Sequence, residues 1–201
     1  MTNNPDTKYF RWDVGRKNYS SIEKLFAKDK YRLLAGCAPC QPFSKLTQAI
    51  DRHRCWNLLE NFARFITRIQ PELVMMENVP ELAQRGQEVF DHFVDTLEKL
   101  DYHVDWKIVK CEEYGVPQFR RRLVLLASKL GELKVPEGRY RGEKKWKTVR
   151  GTIGDLPPLK SGEEHPKDRL HVASRLSDLN LQRIRATSPD GGNRREWPEK
   201  L

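Results

Sequence analysis

The sequence predicts an α/β fold with a mostly parallel sheet, and three observations carry that expectation. Apolar runs short enough to be buried strands, Tyr31-Arg-Leu-Leu-Ala-Gly36 and Leu73-Val-Met-Met76, each give way to a polar group in a proline-broken turn. Longer stretches between the runs repeat apolar residues at helical spacing. Strand-like and helix-like segments alternate, the order that builds a parallel sheet with covering helices.

Taken in order, residues 1–8 are polar, and Tyr9-Phe-Arg-Trp12 is an aromatic run expected to form a strand that ends on the carboxylate of Asp13. Ser20 and Ser21 offer N-caps to a brief helix with Ile22, Leu25 and Phe26 on its apolar face. The Tyr31 strand then runs into Leu33 to Leu46, LLAGCAPCQPFSKL, where Pro39 and Pro42 lack backbone donors and force the chain out of the sheet around Cys40. Cys55, Leu58, Leu59, Phe62, Ile66 and Ile69 recur on one helical face until Pro71. The second buried strand, Leu73 to Met76, stops at Glu77-Asn78-Val79-Pro80, and Val89, Phe90, Phe93, Val94, Leu97 and Leu100 form the face of a second helix. Val104, Trp106 and Ile108 alternate as a third strand, and Arg122 to Ala127 gives a fourth. The connector from Glu113 to Arg122 is too short for a helix, so these two strands are expected to pair antiparallel.

Beyond Leu130 the character changes. Arg139, Arg141, Lys144, Lys145, Lys147 and Arg150 interleave with Tyr140 and Trp146, a pattern that suits either a phosphate backbone or a solvated charged loop. Thr152 to Leu159 is turn-rich, Ser177 is placed to cap a last helix through Leu179 and Ile184, and Asp190-Gly-Gly-Asn193 reads as a turn or linker.

A chain of 201 residues can bury one sizeable core. Its 37 Lys+Arg against 28 Asp+Glu, a net charge of +9, favour a polyanionic partner, nucleic acid first, over a protein that is merely basic. No apolar run approaches the roughly 18 residues a bilayer crossing needs. The start, MTNNPDTKYF, has no apolar signal region, so a cytoplasmic protein with no membrane partner is expected. Four cysteines, Cys37, Cys40, Cys55 and Cys111, then argue against a disulfide framework. Cys37-Ala-Pro-Cys40 has redox or zinc spacing, but no second C-x-x-C or H-x-x-x-H completes a zinc site, and no metal is expected. A thiol oxidoreductase is the minor alternative, because a thioredoxin-like motif should open a helix and here Gln-Pro-Phe-Ser follows.

The ligand-binding edge of an α/β sheet lies at the carboxyl ends of its strands, and that edge receives Cys40 from one strand and Glu77 from the next. Cys40 alone is open to two readings, a nucleophile held in a stiff turn or a small buried hydrophobe. Paired with a carboxyl group, it fits addition to an electron-poor ring such as a nucleobase. A thiolate adds to that ring only if a neighbouring acid stabilises the charge that develops on a ring nitrogen. Arg120-Arg121-Arg122 supplies an electropositive setting that would lower the thiol pKa from its reference of about 8.5.

These residues together resemble the bacterial DNA cytosine carbon-5 methyltransferases. Pro39-Cys40-Gln41 with Pro-Phe-Ser after it matches the family's nucleophile motif, Glu77-Asn78-Val79 its acid motif, and Gln118-x-Arg120-x-Arg122 after Tyr-Gly-Val-Pro its arginine motif. The likeness runs from about Tyr9 to the last residue. It implies a Rossmann-like, S-adenosylmethionine-dependent methyltransferase fold with an incomplete sheet, acting on double-stranded DNA, as in restriction-modification systems. It further implies that Cys40 adds to carbon-6 of a flipped-out cytosine, that Glu77 contacts ring nitrogen-3 and the amino group, and that Arg122 and Arg120 lie against the target nucleotide. Asn78 would buttress the Pro39 loop; Gln41, Ser44 and Gln118 fall on DNA-contacting positions; and Asp13, Pro39 and Leu58 align with residues lining the cofactor pocket. Leu58 is equally placed as a core residue of its helix, and Asp13 as a solvated carboxylate.

The departures from the family pattern set the remaining expectations. The glycine-rich first motif, F-x-G-x-G, and the acidic residue that grips the ribose are not found before Asp13. Residues 1–130 are therefore read as a partial catalytic core, and 131–201 as a basic extension toward a target recognition domain that would begin beyond it. The expectation is a catalytic middle: a truncated inactive remnant that binds DNA or a partner, a fragment, or one subunit of a split enzyme with a complementary methyltransferase subunit.

Overall fold

Among the described residues four strands make one sheet in the order β1-β2-β4-β3: β1 is Leu33–Gly36, β2 Leu73–Asn78, β3 His103–Lys110 and β4 Arg121–Ser128. The computed structural model describes residues 4–12, 19–27, 29–37, 52–189, 192–199 and 201, with the backbone alone at 52–57. The chain divides into two units, Met1–Thr152 and Ile153–Leu201.

In the first unit, β1 pairs in parallel with β2, from Leu33 opposite Leu73 to Gly36 opposite Met76. The helix that joins them, α2 (Arg52–Ile69; α1 is the short Tyr19–Glu23), is amphipathic as expected, burying Leu59, Phe62, Ala63, Ile66 and Ile69. It ends where Gln70 takes a left-handed φ of 45° and Pro71 cannot continue it. The crossover from β2 carries α3 (Gln87–Glu98), which buries Val89, Phe90, Phe93 and Leu97. Both helices cover one face of the sheet, where Val74, Met76, Leu123, Leu125 and Ala127 complete the core. Trp106 stands on that same face, its ring edge-on to Phe90 with centroids 5.0 Å apart.

The sheet departs from the mostly parallel expectation. Among the described pairings β1/β2 is parallel, while β4 is antiparallel to both β2 and β3. The physical reason is the connector read correctly from its length: with no crossover helix after β3, the chain turns back and β4 inserts between β3 and β2. Four smaller expectations also change. Tyr9 to Trp12 forms no strand; Phe10 and Trp12 stack at 4.6 Å on a chain with no sheet partner. Ser20 and Ser21 lie inside α1 rather than capping it. The turn-rich piece begins within a short helix, α4 (Val149–Ile153), and the connector holds a 3-10 turn at Cys111–Tyr114.

The frame is closed at its amino end by one side chain that no motif flagged. Arg32 donates through Nε and Nη2 to the Glu72 carboxylate at 3.1 and 2.8 Å, and through Nη1 and Nη2 to the carbonyls of Ile69 and Gln70 at 3.0 and 2.8 Å. The Arg32 backbone N–H adds a bond to Glu72 at 2.7 Å. One guanidinium thus ties the start of β1 to the end of α2 and the start of β2, satisfying carbonyls that every helix terminus leaves open.

The second unit holds α5 (Asp178–Ala186), capped as expected by Ser177, whose hydroxyl accepts from Asn180 N at 3.3 Å. None of its described residues is buried, so hydrogen bonds rather than a core define it. Asn193 and Glu196 close a capping box, Trp197 Nε1 donates to Thr187 Oγ1 at 2.8 Å, and Arg183 lies over the Trp197 ring at 5.3 Å. Asp190 and Gly191 lie outside the described residues.

The Arg32 side-chain hydrogen bond, set against partial burial, holds the Glu72 carboxyl well below its usual 4.5, at about 2. Because that pKa is depressed by folding, the contribution is present above about pH 4.5 and lost as pH falls through about 2. Glu72→Gln is expected to lower unfolding stability by about 2 kcal/mol at neutral pH. The deficit against the parent, measured by urea unfolding, should shrink steadily across that acid window. A second test is steric: a Cβ at Gly36 would stand 2.5 Å from the buried Phe62 ring. Gly36→Ala should cost about 1–3 kcal/mol, and Phe62→Leu in the same chain should return part of it.

Candidate active site at the carboxyl ends of β1 and β2

Beyond Gly36 opposite Met76, the next residues along the two parallel strands are Cys37 and Glu77. Alternation fixes their faces: Val74, Met76 and Asn78 are buried toward the helices, which leaves Met75 and Glu77 on the open face of the sheet. Asn78, buried, accepts from Val79 N at 2.8 Å through its own side chain, a local turn that stops β2 just before Pro80.

Arg122 reaches Glu77 from β4. In that antiparallel register Glu77 lies opposite Val124, so Arg122 is its diagonal neighbour on the open face. Arg122 Nε pairs with Glu77 Oε1 at 2.5 Å, and its Nη1 donates to the Arg121 carbonyl at 2.7 Å. The other carboxylate oxygen, Oε2, accepts from Cys37 Sγ at 3.0 Å. That hydrogen bond, with burial and the Glu77 charge adding to it and Arg122 opposing, pushes the Cys37 thiol up to about 11.

The connector that delivers Arg122 is held by the segment after β4. Tyr114 Oη donates to Pro136 O at 2.6 Å, and Tyr140 N to Glu113 O at 2.9 Å. Gly115, with φ of 85°, has no room for a side chain: a Cβ would stand 2.8 Å from the Tyr140 ring. The buried Glu112 accepts from Arg120 N at 3.4 Å, and Cys111 N donates to Arg120 O at 2.8 Å. Phe119 is 80% exposed, with Trp146 edge-on at 5.4 Å.

Of the site residues expected from sequence, Glu77 and Arg122 are brought together. Arg120 and Gln118 are exposed on the connector, their backbones bonded within it, and Leu58 is half-buried on α2. Cys40, Pro39, Gln41, Ser44 and Asp13 lie outside the described residues. The role of Cys37 toward Glu77 was missed. The available signal was that each is the first polar residue after an apolar run of one parallel pair. Its raised pKa is opposite to the depressed one a CxxC redox thiol needs. Among the described residues no cluster of metal-ligating side chains occurs, and no helix is long and apolar enough to cross a membrane.

The α/β sheet thus presents an arginine-paired carboxylate at its carboxyl edge, hydrogen-bonded to the cysteine that ends the neighbouring strand. The chain belongs to the C-5 cytosine-specific DNA methylase family, whose profile matches residues 7–194. It is 40% identical to the Type II methylase M.HgiDII of Herpetosiphon aurantiacus over 98% of this chain and 56% of that one. It is 28% identical to the Type II methyltransferase M1.HphI of Haemophilus parahaemolyticus over 99% of this chain and 54% of that one. The chain thus spans about half the length of these curated relatives. Among solved structures, an E. coli prophage protein described as a DNA modification methyltransferase superposes with a TM-score of 0.61 at 22% identity, over 89% of this chain and 51% of that one. That likeness shows the fold: the open four-stranded sheet is of the Rossmann-like methyltransferase type.

Site-resolved alkylation with iodoacetamide, followed by peptide mass spectrometry, is expected to show Cys37 reacting slowly below about pH 9 and reaching half its limiting rate near pH 11. In Glu77→Gln the midpoint should fall toward the ordinary thiol range. A midpoint below neutrality in the parent would revive the redox reading.

Proposed function

We propose that this chain carries the nucleophile, the acid and the arginine of a DNA cytosine carbon-5 methyltransferase, acting on double-stranded DNA with S-adenosylmethionine in a restriction-modification setting. The observation that carries this reading is the Glu77–Arg122 pair at the end of β2, beside the end of β1, in a chain of this family whose Pro39-Cys40-Gln41 follows β1 directly. Relatives described as Type II methylases support the restriction-modification setting.

In this reading the Cys40 sulfur bonds to carbon-6 of a cytosine turned out of the duplex, and the ring electrons move toward nitrogen-3. Glu77 meets them there with a proton or hydrogen bond and accepts from the 4-amino group. Arg122 keeps the carboxyl group turned toward the open face, and Arg120 approaches the nucleotide from the same connector. Carbon-5, made electron-rich, takes the methyl group; its proton leaves to a base, and the sulfur–carbon-6 bond breaks to restore Cys40. Extruding the base costs roughly a few kcal/mol, offset by phosphate contacts of the basic surface and by Gln41, Ser44 and Gln118 near the target.

S-adenosylmethionine, when bound, would supply the methyl group as the electrophile. Of the residues assigned to it, Asp13 and Pro39 lie outside the described residues and Leu58 is half-buried beside the core residue Leu59, so the described residues define no cradle. We assign residues 1–130 to a partial catalytic core and 131–201 to a basic extension toward a target recognition domain. A complementary methyltransferase segment, in the same or another polypeptide, fits the edge of β1 that no described strand pairs and the exposed Leu33 and Met75 on the open face.

The test is covalent trapping. With S-adenosylmethionine and the complementary segment supplied, a duplex with 5-fluorocytosine at the target position should form a stable adduct mapped to Cys40, lost in Cys40→Ser. Glu77→Gln should slow single-turnover transfer by a factor of roughly a hundred or more while DNA binding changes far less. Adducts on a different cysteine, or a Glu77→Gln rate near that of the parent, would sink the assignment.

A further inference from the structure

Glu77 has two described partners, Arg122 from β4 and Cys37 from the end of β1, and the reaction outlined above uses only the first. A glutamate side chain turns about three bonds, and one ion pair through Oε1 leaves the carboxyl plane free to swing about that contact. Here the second oxygen is held as well, from the opposite side of β2: Arg122 Nε stands 2.5 Å from Oε1, and Cys37 Sγ 3.0 Å from Oε2. The placement comes from the register itself, because Gly36 opposite Met76 leaves Cys37 and Glu77 as the next residues along the two strands, on one face.

We propose that Cys37 is a positioning residue for Glu77, its thiol holding Oε2 of the arginine-paired carboxylate on the open face until the exocyclic amino N–H of the substrate base takes that oxygen. The inference rests on the reading of Glu77 as the group that meets the base. A thiol suits such a hand-over because S–H is a weak donor, strong enough to orient an unoccupied carboxylate and easily displaced by the N–H of a base. The same bond keeps the thiol protonated, with its pKa raised to about 11, so Cys37 stays a donor and does not compete with Cys40 for the ring. Redox pairing with Cys40 has no part in it.

Two measurements on the full chain test this. The first needs no catalysis: in a nitrogen-15-labelled sample, solvent exchange of the Arg122 Nε–H reports how firmly the Glu77 carboxylate is held. Cys37→Ala should speed that exchange by roughly fivefold, about the factor one net hydrogen bond supplies. Cys37→Ser, which keeps a donor, should return it to within a factor of about two of the parent. Buried sheet amides, followed in the same spectra, should not change in either variant. The second is single-turnover methyl transfer at saturating duplex and S-adenosylmethionine, with the complementary segment supplied. Cys37→Ala should lose roughly five- to tenfold in rate with unchanged DNA affinity, and Cys37→Ser should recover most of it. Arg122 exchange unaltered in Cys37→Ala, or a serine variant as impaired as the alanine one, overturns the proposal. If no variant transfers a methyl group even with the complementary segment supplied, the parent included, the functional reading of the chain has failed, and the Arg122 exchange alone decides whether Cys37 positions Glu77.

Discussion

The rest of the structure depends on the parallel pairing of β1 with β2. β1 is short, Leu33 to Gly36, and a short edge strand is weakly specified by its ladder alone. Other contacts hold its register. Arg32 locks the amino end to Glu72 and the last carbonyls of α2, and Gly36 lets the Phe62 ring approach too closely for any other residue. Cys37 meets Glu77 at the carboxyl end. A slip of one residue would exchange the faces of β1, turning Cys37 toward the helices. The geometry of the site is therefore the register of two strands, fixed from both ends of β1.

The antiparallel insertion of β4 explains how the arginine motif can stand before its strand and still act at the same edge as motifs that stand after theirs. β1 and β2 end at the site, so Cys37 and Glu77 follow their apolar runs. β4 begins there, because it runs the other way, and Arg122 comes at its start, diagonal to Glu77. Had β4 been parallel to β2, its end near Ser128 would have faced the site and the arginines would have lain at the far edge. The connector from Cys111 to Arg120 is held by Tyr114 and Tyr140 contacts to the segment beyond β4, so the arginines are presented by a fixed loop.

Much of this was legible in the residues. Helical periodicity found α2 and α3, Pro71 marked the end of the first, and Ser177 capped α5 as expected. Glu77 and Arg122, singled out as motif residues at strand ends, are brought together on one face of the sheet. Sheet direction was harder to read, because strand and helix alternation implies parallel pairing only where a crossover helix intervenes, and none follows β3. Tyr9 to Trp12 read as a strand from its aromatic composition, yet a strand exists only with a partner, and composition does not provide one. Arg32 and Cys37 were passed over for a common reason. Each acts through a residue 40 positions away, Glu72 and Glu77 respectively, and such a pair becomes visible only when the register is known.

The distribution of charge bears on why Glu77 needs Arg122 at all. A carboxylate at the mouth of a polyanion-binding site is repelled by the phosphates it must approach, and an arginine on one oxygen cancels that cost while leaving the group able to act on a base. Not every cation in this basic chain is available to phosphate. Lys107 and Arg141 both pair with Glu137, Lys147 lies over the Tyr140 ring, and Arg32 is committed to Glu72. Arg139, Lys144 and Lys145 remain exposed in the segment that packs on the connector through Tyr140. Phosphate contacts of that kind orient a duplex without reading its sequence. In the proposed reading, backbone attraction from that segment and neutralisation of Glu77 by Arg122 act side by side, and both help a base to reach the carboxylate.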